Sequence, residues 1–418
     1  MKKVLLEAPI LTKSGYGEHA RLIYRTLKQD KGLDIYINPL AWGTTSWTMP
    51  DEDVLKATKK YANYNHAHTS QGSNPHFDMQ IRVGIPNEFE KKAPFSVCVT
   101  AGIESDRVSP SWIIKTHQGI DKLVVPSEHA KDGFVNTNYE VMNNTNGTKT
   151  MLDCKCPVEV VPYPVKAPEG APLDLDFSTD FNFLSIALMG PRKNIEFMLK
   201  GFVEKFRDND NVGLVLKTAK ARSSKMDRIE TRNKIENYIK ALGDKKCKIY
   251  LLHGNLTEAE IHSLYTHPKI KAYVTTTHGE GYGLPVFEAA YSGLPIVATD
   301  WSGHLDFLSG NLKGKNKKLF ARIDYDLKEI QKEAVWKDIL TEDSRWAYPK
   351  QVSYGSQLEK MYTNHGMYKK WANILEGEIK EKFSEAAVME KMRSALMLQN
   401  SEETVNEIDD MFASLASE

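Results

Sequence analysis

The segment from His278 to Ala290 combines residue types that suit a phosphate carrying hydroxyl-rich groups. Gly281 and Gly283 permit a tight turn and a close backbone approach to a ligand. The turn precedes a predicted helix, whose free N–H groups and dipole attract an anion. Glu280 and Glu288 flank this turn, and carboxylates accept hydrogen bonds from vicinal hydroxyls. We therefore interpret the segment as a ligand site, in preference to a solvated turn or the acid and base of a hydrolase.

A second group of candidate residues is cationic. Arg192 and Lys193 follow a predicted strand and precede a predicted helix, so two positive charges meet free backbone amides. This combination is suited to a diphosphate. Lys217 follows another predicted strand, Val212–Leu216, and is either a further member of this group or an ordinary solvated lysine.

Two loops in the N-terminal half also carry candidate residues. Gly15 and Gly17 lie between the first predicted strand and the first predicted helix, where glycines let the backbone approach phosphates. Glu104 follows the predicted strand Phe95–Thr100. It is either a site residue or the ion-pair partner of Arg107.

The elements that must position these residues alternate between β and α. Short aliphatic strands are followed by polar loops and by helices with apolar residues at positions i, i+3, i+4 and i+7. This alternation predicts α/β domains whose parallel sheets are covered on both faces. A proline-rich linker at 162–172 separates two such units. We expect an N-terminal Rossmann-like domain at 1–165 with a surface insertion or hairpin at 136–157, a second Rossmann-like domain at 175–345, and terminal helices at 346–418.

Composition excludes several classes of protein. The 418 residues include 55 Lys+Arg and 55 Asp+Glu, which argues against a surface that binds nucleic acid or anionic membrane throughout. No apolar run approaches the ~18 residues of a membrane span. Four cysteines are too few for a disulfide framework. We therefore expect a soluble, cytoplasmic protein with reduced thiols.

The segment around Glu280 resembles the signature of retaining glycosyltransferases with the GT-B fold, in particular family four. That signature places two glutamates, separated by seven residues, around a Gly-x-Gly-Leu-Pro turn. The resemblance implies that Glu280 contacts donor-sugar hydroxyls and that Glu288 binds the nucleotide ribose. The turn residues that would contact the sugar and diphosphate are Gly281, Tyr282, Gly283 and Leu284.

The same resemblance implies two α/β domains facing a cleft, with C-terminal helices that pack back toward the first domain. Many relatives carry a histidine that touches the donor sugar, and here Glu104 is the nearest polar residue at that place. The residues that would contact or neutralise the phosphates are Arg192, Lys193, Lys217, Gly15 and Gly17.

The implied reaction moves a sugar from a nucleoside diphosphate sugar to an acceptor hydroxyl with retention. We expect UDP rather than GDP in the donor, and no metal or other cofactor. The resemblance implies that the N-terminal domain, residues 1–165, is the acceptor side, and it holds 19 basic and 18 acidic residues. This balance favours a neutral acceptor, either a glycan or a lipid-linked sugar. A hydroxymethylated base in DNA is an alternative, since residues 192–234 hold 12 basic and 6 acidic residues. The missing histidine motivates another alternative, a nucleotide-sugar-binding protein without turnover.

Overall fold

The computed structural model describes residues 1–43, 45–142, 147–166, 168–221 and 223–398. These residues contain two parallel six-stranded sheets, each with a hydrophobic core on either face. The α/β architecture predicted from the sequence is therefore confirmed. In the part of the chain so described, no helix has the length and apolar character needed to cross a membrane.

The first sheet uses six of the eight strands found before residue 161. It has the parallel order β2-β1-β3-β4-β5-β8, while β6 and β7 pair as an antiparallel hairpin within the predicted insertion. Strand β1 lies inside this sheet with both faces covered, and Val4, Leu5 and Leu6 are fully buried as a result. The strands are β1 (Lys2–Ala8), β2 (Leu33–Pro39), β3 (Met79–Val83), β4 (Phe95–Val99), β5 (Lys122–Val125), β6 (Asn138–Met142), β7 (Lys149–Asp153) and β8 (Val158–Val160).

The helix after β1 begins earlier than expected. Ser14 is its N-cap, and the Ser14 hydroxyl accepts the backbone N–H of Gly17 at 3.0 Å. Gly15 and Gly17 therefore occupy the first helical turn, and their prediction as loop residues was wrong. A β-carbon on Gly17 would lie 2.1 Å from the carbonyl oxygen of Thr12, so only glycine fits there. The helices of this unit are α1 (Gly15–Lys28), α2 (Glu52–Thr69), α3 (Pro110–His117) and α4 (Glu128–Val135).

The second sheet has the parallel order β11-β10-β9-β12-β13-β16. The strand order reverses between β9 and β12, and a crevice opens beyond the carboxyl ends of strands at such a point. Its connections include two antiparallel hairpins, β14–β15 and β17–β18. The strands are β9 (Phe181–Leu188), β10 (Val212–Ala219), β11 (Lys248–Leu252), β12 (Ile270–Val274), β13 (Ile296–Thr299), β14 (Ser309–Leu312), β15 (Lys315–Lys318), β16 (Ala321–Ile323), β17 (Tyr325–Glu329) and β18 (Arg345–Pro349).

Helices cover this sheet and continue beyond it. Helices α9 and α10 pack on α5 and α8 of the second unit, whereas α11 packs on α1 of the first. The expectation of helix alone beyond residue 345 was wrong, because β18 completes a hairpin with β17 first. Residues 399–418 of the predicted terminal helices lie outside the described residues. The helices are α5 (Ile195–Phe206), α6 (Lys225–Ala241), α7 (Glu258–Tyr265), α8 (Leu284–Tyr291), α9 (Gln351–Thr363), α10 (His365–Lys382) and α11 (Glu385–Ala395).

The two units contact each other across the cleft. The Ser127 hydroxyl at the N-terminus of α4 donates to the carbonyl oxygen of Gly281 at 2.6 Å. The next backbone N–H, from Glu128, donates to the Asp306 carboxylate at 2.8 Å. Residues of both units therefore meet around the glycine turn that the sequence singled out.

Candidate active site

The candidate site lies where the second sheet reverses its strand order. The short turn Pro191–Lys193 follows β9, and the glycine turn follows β12, so the two loops meet at the switch point. The N-terminus of α1 faces this place from the first unit. A β-carbon on Gly15 would lie 3.6 Å from Leu284 Cδ1, at the N-terminus of α8. Two helix N-termini therefore converge on one cleft, which favours an anionic ligand.

A buried ion cluster forms the centre of this site. Lys193 Nζ donates to Glu280 Oε1 at 2.5 Å, and Arg192 Nη1 donates to Oε2 at 2.9 Å. The backbone N–H of Glu280 donates to Ser302 Oγ at 2.9 Å. Only 8% of Glu280 is exposed. The loop after β9 therefore fixes the Glu280 carboxylate in position. The segment after β13 fixes the Glu280 backbone.

Electrostatics keep this cluster charged. Burial alone would raise the pKa of Glu280, but the adjacent Lys193 ammonium and Arg192 guanidinium lower it to about 2. Burial and the neighbouring Arg192 lower the pKa of Lys193 against the pull of Glu280. At neutral pH Glu280 is thus an ionised acceptor for ligand hydroxyls, beside two cations that suit a diphosphate.

Glu104 joins the cluster from the first unit. Its carboxylate pairs with Arg192 Nη2 at 2.9 Å, and burial raises its pKa despite that cation. The alternative partner, Arg107, pairs with Asp343 instead. The predicted ion pair of Glu104 with Arg107 is therefore wrong, and the role of Glu104 as a site residue stays a prediction. Arg192 therefore bridges carboxylates of both units.

The glycine turn fits tightly against the first unit. A β-carbon on Gly281 would lie 1.9 Å from the carbonyl oxygen of Ala101, so no larger residue can occupy that position. Gly283 has a φ of +88° at the N-cap of α8. The Tyr282 side chain is buried with Tyr163 and Phe287 in the core, so its contribution to ligand binding is limited to its backbone.

Glu288 lies in a different environment on α8. It lies in the second turn of the helix, where its carboxylate accepts the Tyr265 hydroxyl at 2.9 Å. Burial raises the pKa of Glu288 to about 7, although the Tyr265 hydrogen bond opposes that shift. Lys217 Nζ, whose pKa is lowered by burial, donates to the carbonyl oxygen of Gly254 at 3.1 Å. The negative charge of Glu288 opposes this lowering of the Lys217 pKa.

A sequence comparison identifies the second unit. Residues 175–318 match the family model of glycosyl transferases group 1. The chain carries a group 1 glycosyltransferase domain. All the residues of the Glu280 cluster except Glu104 lie inside it.

Two curated relatives of the glycosyltransferase domain are bacterial. Over 135 residues the chain is 27% identical to the UDP-N-acetylglucosamine–peptide N-acetylglucosaminyltransferase GtfA subunit of Streptococcus agalactiae, with 32% of this chain and 24% of that protein covered. The GtfA subunit of Streptococcus pneumoniae is 22% identical over 284 residues, with 61% of this chain and 52% of that protein covered. The chain therefore spans no more than about half the length of either relative.

A solved structure is similar to this chain beyond the glycosyltransferase domain. Sucrose-phosphate synthase from Thermosynechococcus elongatus superposes with a TM-score of 0.58 at 11% identity, with 99% of this chain and 100% of that chain covered. This likeness concerns the fold alone. It confirms the GT-B architecture that the sequence signature implied.

Two residues around the candidate site were not predicted from the sequence. Ser302 accepts the Glu280 backbone N–H, and Tyr265 donates to Glu288. Serine and tyrosine are common in ordinary turns and cores, so no spacing signal marked them. Asn194 is the N-cap of α5 in a left-handed conformation with a φ of 53°, and its amide donates to the Thr276 carbonyl oxygen at 3.3 Å. Among the described residues, no group of three or more His, Cys, Asp or Glu is arranged to hold a metal ion.

Proposed function

We propose that this protein is a retaining glycosyltransferase that moves a sugar from a UDP-sugar to an acceptor hydroxyl in the cytoplasm. The observation that carries the proposal is the buried cluster of Glu280, Arg192 and Lys193 at the switch point of the second sheet. It combines a fixed anionic acceptor for sugar hydroxyls with two cations for a diphosphate. The four cysteines are free thiols, which suits a reducing compartment.

The proposed step breaks the bond between the anomeric carbon and the β-phosphate oxygen of the donor. The acceptor oxygen bonds to the anomeric carbon from the same face, and the acceptor proton passes to the departing phosphate. Arg192 and Lys193 stabilise the charge that grows on that phosphate, together with the amides at the N-terminus of α8. Glu280 binds hydroxyls of the transferred sugar, and its two cationic partners orient it. In this scheme side-chain cations supply the positive charge, so we propose that no cofactor is needed.

The UDP part of the proposal rests on the relatives and on Glu288. Both curated relatives are named as acting with UDP-N-acetylglucosamine. Glu288 has one hydrogen bond, from Tyr265, and an ionised carboxylate has capacity to accept two further hydroxyl donors. We propose that these are the ribose hydroxyls, with Lys217 beside them.

A carbohydrate is the proposed acceptor, with DNA as the second candidate. Within the described residues, six of the twelve basic residues at 192–234 pair with carboxylates. Lys205 pairs with Glu359, Lys220 with Glu230, and Arg232 with Glu236. Surface charges that already have partners add little to the attraction of a polyanion, which favours the neutral acceptor.

Thermal denaturation with UDP, GDP, ADP and UDP-N-acetylglucosamine tests the donor site first. A ligand at ~100 times its dissociation constant adds about 2.7 kcal/mol of stability, so a selective rise with uridine ligands is expected. Glu288→Ala should reduce that rise, whereas the exposed Glu196→Ala on α5 serves as a matched control. An equal rise in both variants would contradict the ribose assignment. Absence of UDP release from any UDP-sugar tested would favour the binding protein without turnover.

A further inference from the structure

A cavity of about 330 Å³ opens directly beside the ion cluster. Glu104 and Arg192 form one wall. The opposite wall belongs to the connection between β17 and β18, residues 330–344, which we call the arm. Trp336 of the arm lines the cavity and is 65% exposed, an unusual state for a large aromatic residue. The cavity therefore offers a flat apolar surface next to the proposed reaction centre.

The arm belongs to the second unit but is attached to the first. Asp343 pairs with Arg107, and the Ser111 hydroxyl donates to the carbonyl oxygen of Asp338 at 3.0 Å. Ile339 packs against the core formed by α3 and α4. These contacts hold the arm across the cleft entrance. Residues 336–340 form a tight turn of their own, in which the backbone N–H of Trp336 donates to the carbonyl oxygen of Leu340 at 3.0 Å.

We propose that the arm forms the acceptor subsite of this glycosyltransferase, and that Trp336 stacks on a neutral sugar ring of the acceptor. This inference rests on the proposed function. A sugar ring has an apolar C–H face, which suits an indole plane, and an edge of hydroxyls, which suits polar walls. Glu104, Glu333 and Arg192 supply such polar groups around the cavity. Trp346, another lining residue, is almost fully buried and contributes to the cavity wall.

The charges around the cavity favour a neutral sugar over a nucleic acid as the acceptor. The arm carries two basic residues, at positions 332 and 337, and four acidic residues, at positions 333, 338, 342 and 343. Among the described residues, Arg192 is the only cation that lines the cavity, and it is already paired with Glu104 and Glu280. A polyanion would gain little from such a surface, because its binding depends on unpaired cations that displace counterions.

The experiment compares Trp336→Ala and Trp336→Phe with wild type in the full chain. Trp47→Ala is the matched control, since Trp47 is also 65% exposed but lies on the first unit. UDP release from UDP-N-acetylglucosamine is measured without acceptor, with a panel of neutral methyl glycosides, and with a duplex containing hydroxymethylated cytosine. We expect Trp336→Ala to raise KM for the glycoside acceptor roughly tenfold, Trp336→Phe to restore most of it, and release without acceptor to stay unchanged.

Other outcomes would overturn the inference. An acceptor KM in Trp336→Ala equal to wild type would remove Trp336 from the subsite. If Trp336→Ala raised KM for the duplex but not for any glycoside, the cavity would be a site for a DNA base instead of a sugar. Donor hydrolysis that no glycoside accelerates would reject a neutral sugar acceptor while leaving the donor site intact. Failure of the wild type to release UDP under every condition would overturn the proposed function itself, and the subsite with it.

Discussion

Glu280 and Glu288 stand eight positions apart on one loop and helix, yet their surroundings set opposite charge states. Glu280 touches two cations and has a pKa of about 2. Glu288 touches a tyrosine hydroxyl, and burial raises its pKa to about 7. The same residue type is therefore a permanent anion at one position and a titratable group at the other. The two cations that contact Glu280, rather than the glutamates themselves, decide this difference.

The contrast suggests a division of labour within the proposed donor site. A permanent anion between two cations gives a fixed framework for the reacting sugar and phosphates. A titratable carboxylate can gain its charge when hydroxyl donors reach it. We therefore expect changes at the Glu280 cluster to affect stability and catalysis, and changes at Glu288 to affect donor affinity and its dependence on pH.

The largest expected effect is the loss of stability in Glu280→Ala. This change leaves the half-buried Lys193 ammonium without its carboxylate partner, and breaking such a pair costs about 3 kcal/mol. Urea unfolding followed by tryptophan fluorescence measures the loss. Glu288→Ala should cost clearly less, because it leaves only a neutral hydroxyl without a partner. Equal losses in the two variants would remove the distinction between the two carboxylates.

The rate of catalysis should depend on the Glu280 cluster more than on Lys217. Lys193→Ala removes a cation beside the proposed leaving group, so we expect the rate constant for UDP release to fall roughly 100-fold. Lys217→Ala provides the comparison. Because Lys217 Nζ is hydrogen-bonded to a backbone carbonyl oxygen, this change should lower the rate constant for UDP release less than tenfold. Steady-state kinetics with saturating UDP-N-acetylglucosamine separates these values. A greater loss of rate in Lys217→Ala than in Lys193→Ala would indicate that the phosphates bind closer to β10.

Donor affinity should increase as the pH rises through 7. Below its pKa of about 7 Glu288 is a neutral acid, and above it the ionised carboxylate accepts ribose hydroxyls more strongly. Between pH 6 and pH 8 the dissociation constant of UDP should therefore fall by roughly tenfold, which corresponds to about one pKa unit of linkage. Isothermal titration calorimetry at several pH values measures it. Glu288→Gln should give a flat profile, and a persisting slope would assign the titration to another group.

The smallest effect is expected from Tyr265→Phe. The Tyr265 hydroxyl donates to Glu288 and lowers its pKa, so removal of this hydroxyl should raise the pKa further. Loss of one hydrogen bond costs about 1 kcal/mol, and the midpoint of the pH profile should move upward by about half a unit. The same calorimetric series detects the shift. A downward shift would show that Tyr265 does not favour the charged carboxylate.

The sequence was sufficient for much of the fold and for the central part of the site. Alternating strands and helices predicted both sheets, since the periodicity depends on local residue types. The glycine turn and the pair Arg192–Lys193 were found because several unusual residue types occur close together. Glu104 was left with two interpretations, because its partner is 88 positions away in the chain.

Features that depend on long-range pairing could not be predicted in this way. Strand β18 contains two strand-favouring aromatic residues in Arg-Trp-Ala-Tyr-Pro, but its partner β17 lies beyond the long connection at 330–344. The left-handed Asn194 and the burial of Tyr282 likewise follow from tertiary contacts that override local preference. The pKa difference between Glu280 and Glu288 has the same origin.

Helix α11 has a consequence for how the chain acquires its structure. Val388, Met389 and Met392 complete the hydrophobic core around α1, although more than 200 residues of the second unit separate them from β8 in the sequence. During synthesis the first sheet therefore exposes part of its apolar surface until these residues leave the ribosome. The second unit, by contrast, can assemble from neighbouring segments. We expect a nascent chain halted at residue 382 to bind chaperones through the uncovered face of α1.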